Sequence, residues 1–141
     1  MSGASSERAE VTLEGDSYAS TLRVGGHVLV ADEPADAGGL NAGPTPVELA
    51  LAALGACTTI TAKMYAARKG WPLESIRVHV RRDTSAAAGG VRGLAMDVEL
   101  TGPLSDEQRR RIYEIANRCP VHRMLSEATE VRAARAESAL G

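Results

Sequence analysis

The sequence contains no phenylalanine, and only one tryptophan and three tyrosines in 141 residues. The core must therefore be assembled from Leu, Val, Ile, Ala and Met, which bury less area each than rings do. So light a core gains much from a partner surface. An excess of charge is also missing: sixteen Lys and Arg stand against eighteen Asp and Glu, a net charge of −2. No basic field draws the chain to nucleic acid or to an anionic membrane, so neither is expected as a partner. The run Arg109-Arg110-Arg111 falls within a helical pattern and reads as a solvated face. The N-terminal residues MSGASSER lack an apolar leader segment. The longest charge-free apolar stretch, Leu49 to Ala62, is shorter than the roughly 18 to 20 residues of a membrane span and reads as a buried helix. Cysteine is nearly absent, with two residues. The expected location is the cytoplasm, where such a pair is more often catalytic, metal-binding or inert than a permanent disulfide. A Ser/His/Asp arrangement, a phosphate loop and a dinucleotide fingerprint are all missing.

The turn and cap signals that are present divide the chain clearly. Residues 1–9 are expected to be disordered and 10–141 to form a single domain. Val11 and Leu13 mark a short strand broken at Gly15-Asp16. Tyr18 to Val24 and His27 to Ala31 read as strands joined by the hairpin signal Gly25-Gly26. Asp32 to Gly43, rich in Asp, Gly and Pro, reads as a loop. Thr45, Pro46 and Glu48 then make a capping box with proline at the first helical position. The helix they open runs to about Lys69, and Gly70 stops it. Around LALAALGAC, Leu49 to Cys57, it is apolar on every face, the mark of a buried helix. About five strands from one chain would not wrap it, so a second subunit is expected to help. Ile76 to Val80 and Leu94 to Leu100 alternate as strands, with Ser85 to Gly90 a loop between them. Ser105 and Gln108 form a second capping box, opening a helix to about Arg118 with Ile112, Ile115 and Ala116 inward. A short helical turn from Pro120 to about Ser126 and a last strand over Thr129 to Ala133 complete an α+β domain.

Few residues could carry chemistry. Cys57 lies within the apolar helix and reads either as a nucleophilic thiolate in an apolar pocket or as an inert buried thiol. Burial without a positive partner raises a thiol pKa. Cys119 stands at the start of the turn opened by Pro120, where thiolates are favoured, with His122 three residues on. It reads equally as a reactive or resolving thiol and as a helix-breaking Cys-Pro. Cys119-x-x-His122 has metal-ligand spacing, and Cys57 could be a third ligand. A zinc site would need a fourth from His27 or His79, so no metal is expected. Glu48 lies nine residues before Cys57, about 900° of helix, and so on the opposite face. The capping box accounts for it without catalysis.

Two segments carry a resemblance. One is GPTPVELALAALGACTT, Gly43 to Thr59, followed by MYAARKGWPLE, Met64 to Glu74. The other is IANRCPVH, Ile115 to His122. Together, in this order and spacing, they resemble the OsmC/Ohr family over about residues 10–133. The resemblance implies an OsmC-like fold: an N-terminal antiparallel β-sheet and a buried central helix, in an intertwined homodimer with active sites at the subunit interface. It implies a thiol peroxidase. Cys57 would reduce a hydroperoxide, organic or hydrogen peroxide, and become a sulfenic acid. Cys119 would capture it as a Cys57–Cys119 disulfide, which a dithiol, often lipoyl-linked in that family, would reduce. No bound cofactor is implied. The chain departs from well-studied members at two places. Their Glu ten residues before the first cysteine is Val47 here, and the loop where some carry a peroxide-holding Arg reads Ala31-Asp32-Glu33, with Arg23 the nearest alternative. It is closer to an OsmC-like branch than to Ohr itself. From a different class, the alternative reading is a non-catalytic protein that holds a small apolar ligand in an interface pocket.

Overall fold

The structure, a computed structural model, describes residues 7–83, 93–127 and 129–134. Three strands, β1 (Ala9–Leu13), β2 (Ser20–Val24) and β3 (His27–Ala31), precede the long helix α1 (Pro46–Lys69). The strands β4 (Ser75–Asp83) and β5 (Gly93–Thr101) and the helices α2 (Asp106–Ala116) and α3 (Pro120–Ser126) follow. The chain divides into two compact units, with the boundary inside α1 between Ala53 and Leu54.

The first unit holds an antiparallel meander in the order β1-β2-β3. Val24 pairs with His27, and Gly25 and Gly26 have φ of 55° and 84°. Two positive φ values in a two-residue hairpin loop match the strand twist, and glycine adopts them at little cost. β1 begins at Ala9, inside the segment expected to be disordered, because Ala9 pairs with Val24 at the end of the hairpin. After β3 the chain wraps around one carboxylate. Asp32, 2% exposed, accepts N–H bonds from Glu33 at 2.7 Å, Ala42 at 3.1 Å and Leu40 at 3.2 Å. A side chain on Gly39 would stand 1.9 Å from the Glu33 carbonyl oxygen, so only glycine lets the loop close this tightly. Those N–H groups, Ala42 first, hold the Asp32 carboxyl below its ordinary pKa against the opposing effect of burial.

The loop delivers the chain to α1 through the capping box read from the sequence. The Glu48 N–H donates to Thr45 Oγ1 at 3.1 Å, and the Thr45 N–H to Glu48 Oε1 at 2.9 Å. Within one chain α1 is buried on one face. Its buried residues, Leu54, Thr58, Ala62, Tyr65 and Ala66, form one stripe at helical spacing. Ile60 and Met64 on other faces are 57% and 63% exposed. One chain covers one face. The whole helix, from Pro46 to Lys69, is by length and composition alone long and apolar enough to cross a membrane, whereas its charge-free stretch from Leu49 to Ala62 is not. Its buried stripe shows another use for the apolar residues, since Ala62, Tyr65 and Ala66 belong to a packed protein core.

That core lies in the second unit, where Leu73, Leu100, Ile112 and Ala116 join them and Trp71, Ile76, Val98, Leu104 and Ile115 pack around. Trp71 meets Tyr65 edge to face at 5.5 Å between ring centres. β4 and β5 pair antiparallel from Ser75↔Thr101 to Asp83↔Gly93. The Ser85–Gly90 loop between them lies outside the described residues. Ser105 and Gln108 form the second capping box, with the Gln108 N–H 3.1 Å from Ser105 Oγ and the Ser105 N–H 2.9 Å from Gln108 Oε1. Of the arginine run, Arg110 pairs with Glu114 at the surface, as a solvated face should. Arg109 instead donates to the carbonyls of Leu100 at 2.8 Å and Gly102 at 2.9 Å, tying α2 to the end of β5. No strand forms over Thr129 to Ala133. Among the described residues β5 pairs with β4 alone, and Val131 is left in solvent.

Candidate active site

The geometry around Cys119 follows from local sequence. α2 ends at Ala116, and Pro120, which has no N–H to give, occupies the first position of α3. Cys119 is thereby the N-cap of α3, in extended backbone, and its Sγ accepts the His122 N–H at 3.3 Å. Its side chain is 0% exposed. Cys57 projects from α1 and is half-buried.

The structure brings the two cysteines together. Cys119 stands close enough to the Cys57 thiol to act on its charge, as do the Val121 N–H and the Thr61 hydroxyl. Both thiols are free. Burial, the largest influence, pushes the Cys57 thiol above its ordinary pKa. The Val121 N–H pulls it down, Cys119 pushes it up again, and the Thr61 hydroxyl pulls it down. Among the described residues no cationic side chain appears in this set. Arg23, the cation suggested by the sequence, is an exposed residue of β2 whose strand partners are Glu10 and Val28. Glu48 is engaged in its capping box. Val47, where well-studied relatives carry a Glu, is exposed.

Thr58 is the residue that sequence reasoning missed. It is fully buried, and its hydroxyl donates to the Leu54 carbonyl at 2.9 Å, 3.6 Å from Met96 Sδ and 3.9 Å from Cys119 Sγ. A hydroxyl in an apolar helical run can hide by bonding to the carbonyl one turn back, so its presence beside Cys57 was the only signal. Beside this cluster lies an open cavity of about 730 Å³, whose lining includes Leu54, Leu94, Met96, Val98, Leu125 and His122. It is apolar over most of its wall, and His122 and Asn117 supply polar edges. His27 and His79 do not complete a metal site with Cys119 and His122, because no group of three metal-binding side chains occurs among the described residues.

The family model for OsmC-like proteins matches residues 38–134. The chain belongs to the OsmC-like family. The OsmC-like fold is shared with solved structures that have little sequence in common with it. An OsmC-like protein from Mycoplasma pneumoniae is 23% identical, with a TM-score of 0.69 over 84% of this chain and 86% of that one. An organic hydroperoxide resistance protein OsmC from Legionella pneumophila is 20% identical, with a TM-score of 0.61 over 89% and 92%. The organic hydroperoxide resistance protein OhrB of Bacillus subtilis is 23% identical, with a TM-score of 0.52 over 84% and 90%. Among curated proteins no relative matches. The antiparallel sheets and helices of this OsmC-like chain thus form a known α+β fold, and both cysteines fall within the matched residues.

Proposed function

We propose that this OsmC-like protein is a thiol peroxidase for organic hydroperoxides, with Cys57 the attacking thiol and Cys119 the resolving one. The observation that carries the reading is the direct approach of the two free thiols, one half-buried and one fully buried. In this reading the Cys57 thiolate attacks the outer oxygen of ROOH. The O–O bond breaks, ROH leaves after taking a proton, and Cys57 becomes a sulfenic acid. Cys119 then attacks that sulfur and water leaves, giving the disulfide before further oxidation of Cys57 can occur. A dithiol, lipoyl-linked or free, returns both thiols. The chemistry needs no metal or bound cofactor. The mostly apolar wall of the cavity, which meets the Thr58 cluster at Leu54 and Met96, suits an alkyl hydroperoxide over a polar one. The active form is a cytoplasmic homodimer, whose second subunit supplies cover for α1.

The test is peroxide consumption with a dithiol as reductant. Cys57→Ser should abolish turnover. Cys119→Ser should consume about one peroxide per site and then accumulate sulfenic or sulfinic acid on Cys57. A single turnover kept by Cys57→Ser and lost by Cys119→Ser would reverse the roles. A second reading, a non-catalytic binder of a small apolar ligand, is favoured by the cavity and by the lack of a cation at Cys57 among the described residues. It predicts native protein that consumes no peroxide under any reductant.

A further inference from the structure

The two sulfurs of the site differ in their access to solvent and in what surrounds them. Cys57 is half-buried, so part of it is open to a reagent from outside. Cys119 is shut in, and its Sγ is faced by two donor groups, the His122 N–H at 3.3 Å and the Thr58 hydroxyl oxygen at 3.9 Å. The Thr58 hydroxyl carries one proton, at present given to the Leu54 carbonyl at 2.9 Å. That carbonyl also accepts the helical N–H four residues on, so it stays satisfied if the hydroxyl turns away. A neutral thiol competes weakly for the proton, and a thiolate competes strongly, because hydrogen bonds to ionised acceptors are about twice as strong.

Given the Cys57–Cys119 disulfide of the peroxidase reading, on which this step rests, we propose that the dithiol reductant opens the disulfide at Cys57. Cys119 is then the leaving sulfur, received by the Thr58 hydroxyl and the His122 N–H. The reductant thiolate forms a new S–S bond to Cys57 Sγ. The Cys57–Cys119 bond breaks, and its electron pair goes to Cys119 Sγ. Thr58 turns its O–H onto that sulfur, which then takes a proton released by the second thiol of the reductant. That second sulfur, now a thiolate, attacks the reductant's own sulfur in the mixed disulfide, closing the reductant disulfide and freeing Cys57 as thiolate. One dithiol is oxidised and one protein disulfide reduced. Exchange is faster when the attacked sulfur is accessible and the leaving sulfur is stabilised, and this arrangement provides both. Thr58 is a positioning residue here, since it acts through Cys119.

The experiment avoids peroxide. The reduced protein is oxidised with diamide, and peptide mass mapping establishes the Cys57–Cys119 disulfide. The disulfide is then treated briefly with glutathione, quenched in acid and alkylated. The expected map has glutathione on Cys57 and the alkyl group on Cys119. Glutathione on Cys119, or equally on both, overturns the proposal and leaves the peroxidase reading intact. Failure of diamide to join the two cysteines overturns both. Thr58→Val removes the hydroxyl and should slow disulfide opening roughly tenfold, the scale of one hydrogen bond to a charged acceptor. Thr58→Ser keeps the hydroxyl and should open at close to the native rate. An unslowed Val variant, or a Ser variant as slow as Val, overturns the role of Thr58.

Discussion

At the scale of the residue, chemistry here is set by what surrounds a group. Cys57 has a pKa pushed upward chiefly by burial, with the Val121 N–H opposing it. Alkylation of Cys57 in the reduced protein, followed by peptide mass against pH, should rise with a midpoint above the roughly 8.5 of a free thiol. A midpoint well below that value would show a cation acting on the sulfur that these neighbours do not supply. Asp32 runs the other way. Its carboxyl is held low by three N–H bonds, so its contribution to stability is complete above the unfolded carboxylate pKa of about 4 and is lost as pH falls through the folded value. Asp32→Asn sets an amide N–H₂ or a weaker acceptor against donors that need an anion. The variant should melt lower than native protein at pH 7 in thermal denaturation, and the gap should narrow at pH 3. An equal gap at both values would remove the charge from the explanation. The Asp32 environment could not be read from the sequence, because it gathers donors from up to ten residues away, and the cysteine that Cys57 meets sixty-two positions on was implied only by the family resemblance.

At the scale of the element, local rules were sufficient for the helix ends and the hairpin. α1 starts at Pro46 and stops after Lys69 because a capping box opens it and Gly70 closes it. Glu48→Gln keeps both hydrogen bonds of the box available, so it should cost at most about 1 kcal/mol in denaturant unfolding. Its peroxide turnover should be unchanged. A folded Glu48→Gln protein without turnover would place Glu48 in the chemistry and defeat the helix-face argument. The same local logic located the Gly25-Gly26 hairpin, the Ser105 cap and the turn opened by Pro120. It failed at Thr129 to Ala133. A strand needs a partner edge as well as alternation, and no pattern within the segment reports whether one is offered. It also failed at Arg109, which a run of three charges suggested was solvated and which in fact holds two backbone carbonyls.

At the scale of the whole molecule, the light core has a visible consequence. α1 exposes Ile60 and Met64, and β3 leaves Val28 59% exposed with Leu29 and Val30 also open. Patches of this kind on a protein surface are used for association. Sedimentation at micromolar concentration should give twice the monomer mass, and Ile60→Glu should shift the distribution toward monomer. A native protein with monomer mass alone would refute the dimer. The sequence by itself determined the element order as far as α3, the two helix caps, the hairpin turn and the two candidate cysteines, because each is written within a few neighbouring residues. The family resemblance implied that Cys57 meets Cys119, and tertiary structure alone decided that Thr58 stands behind them and that within one chain α1 is buried along a single stripe. Those facts depend on groups distant in sequence being packed into contact, and hydrophobic periodicity says that a face is buried without saying against what.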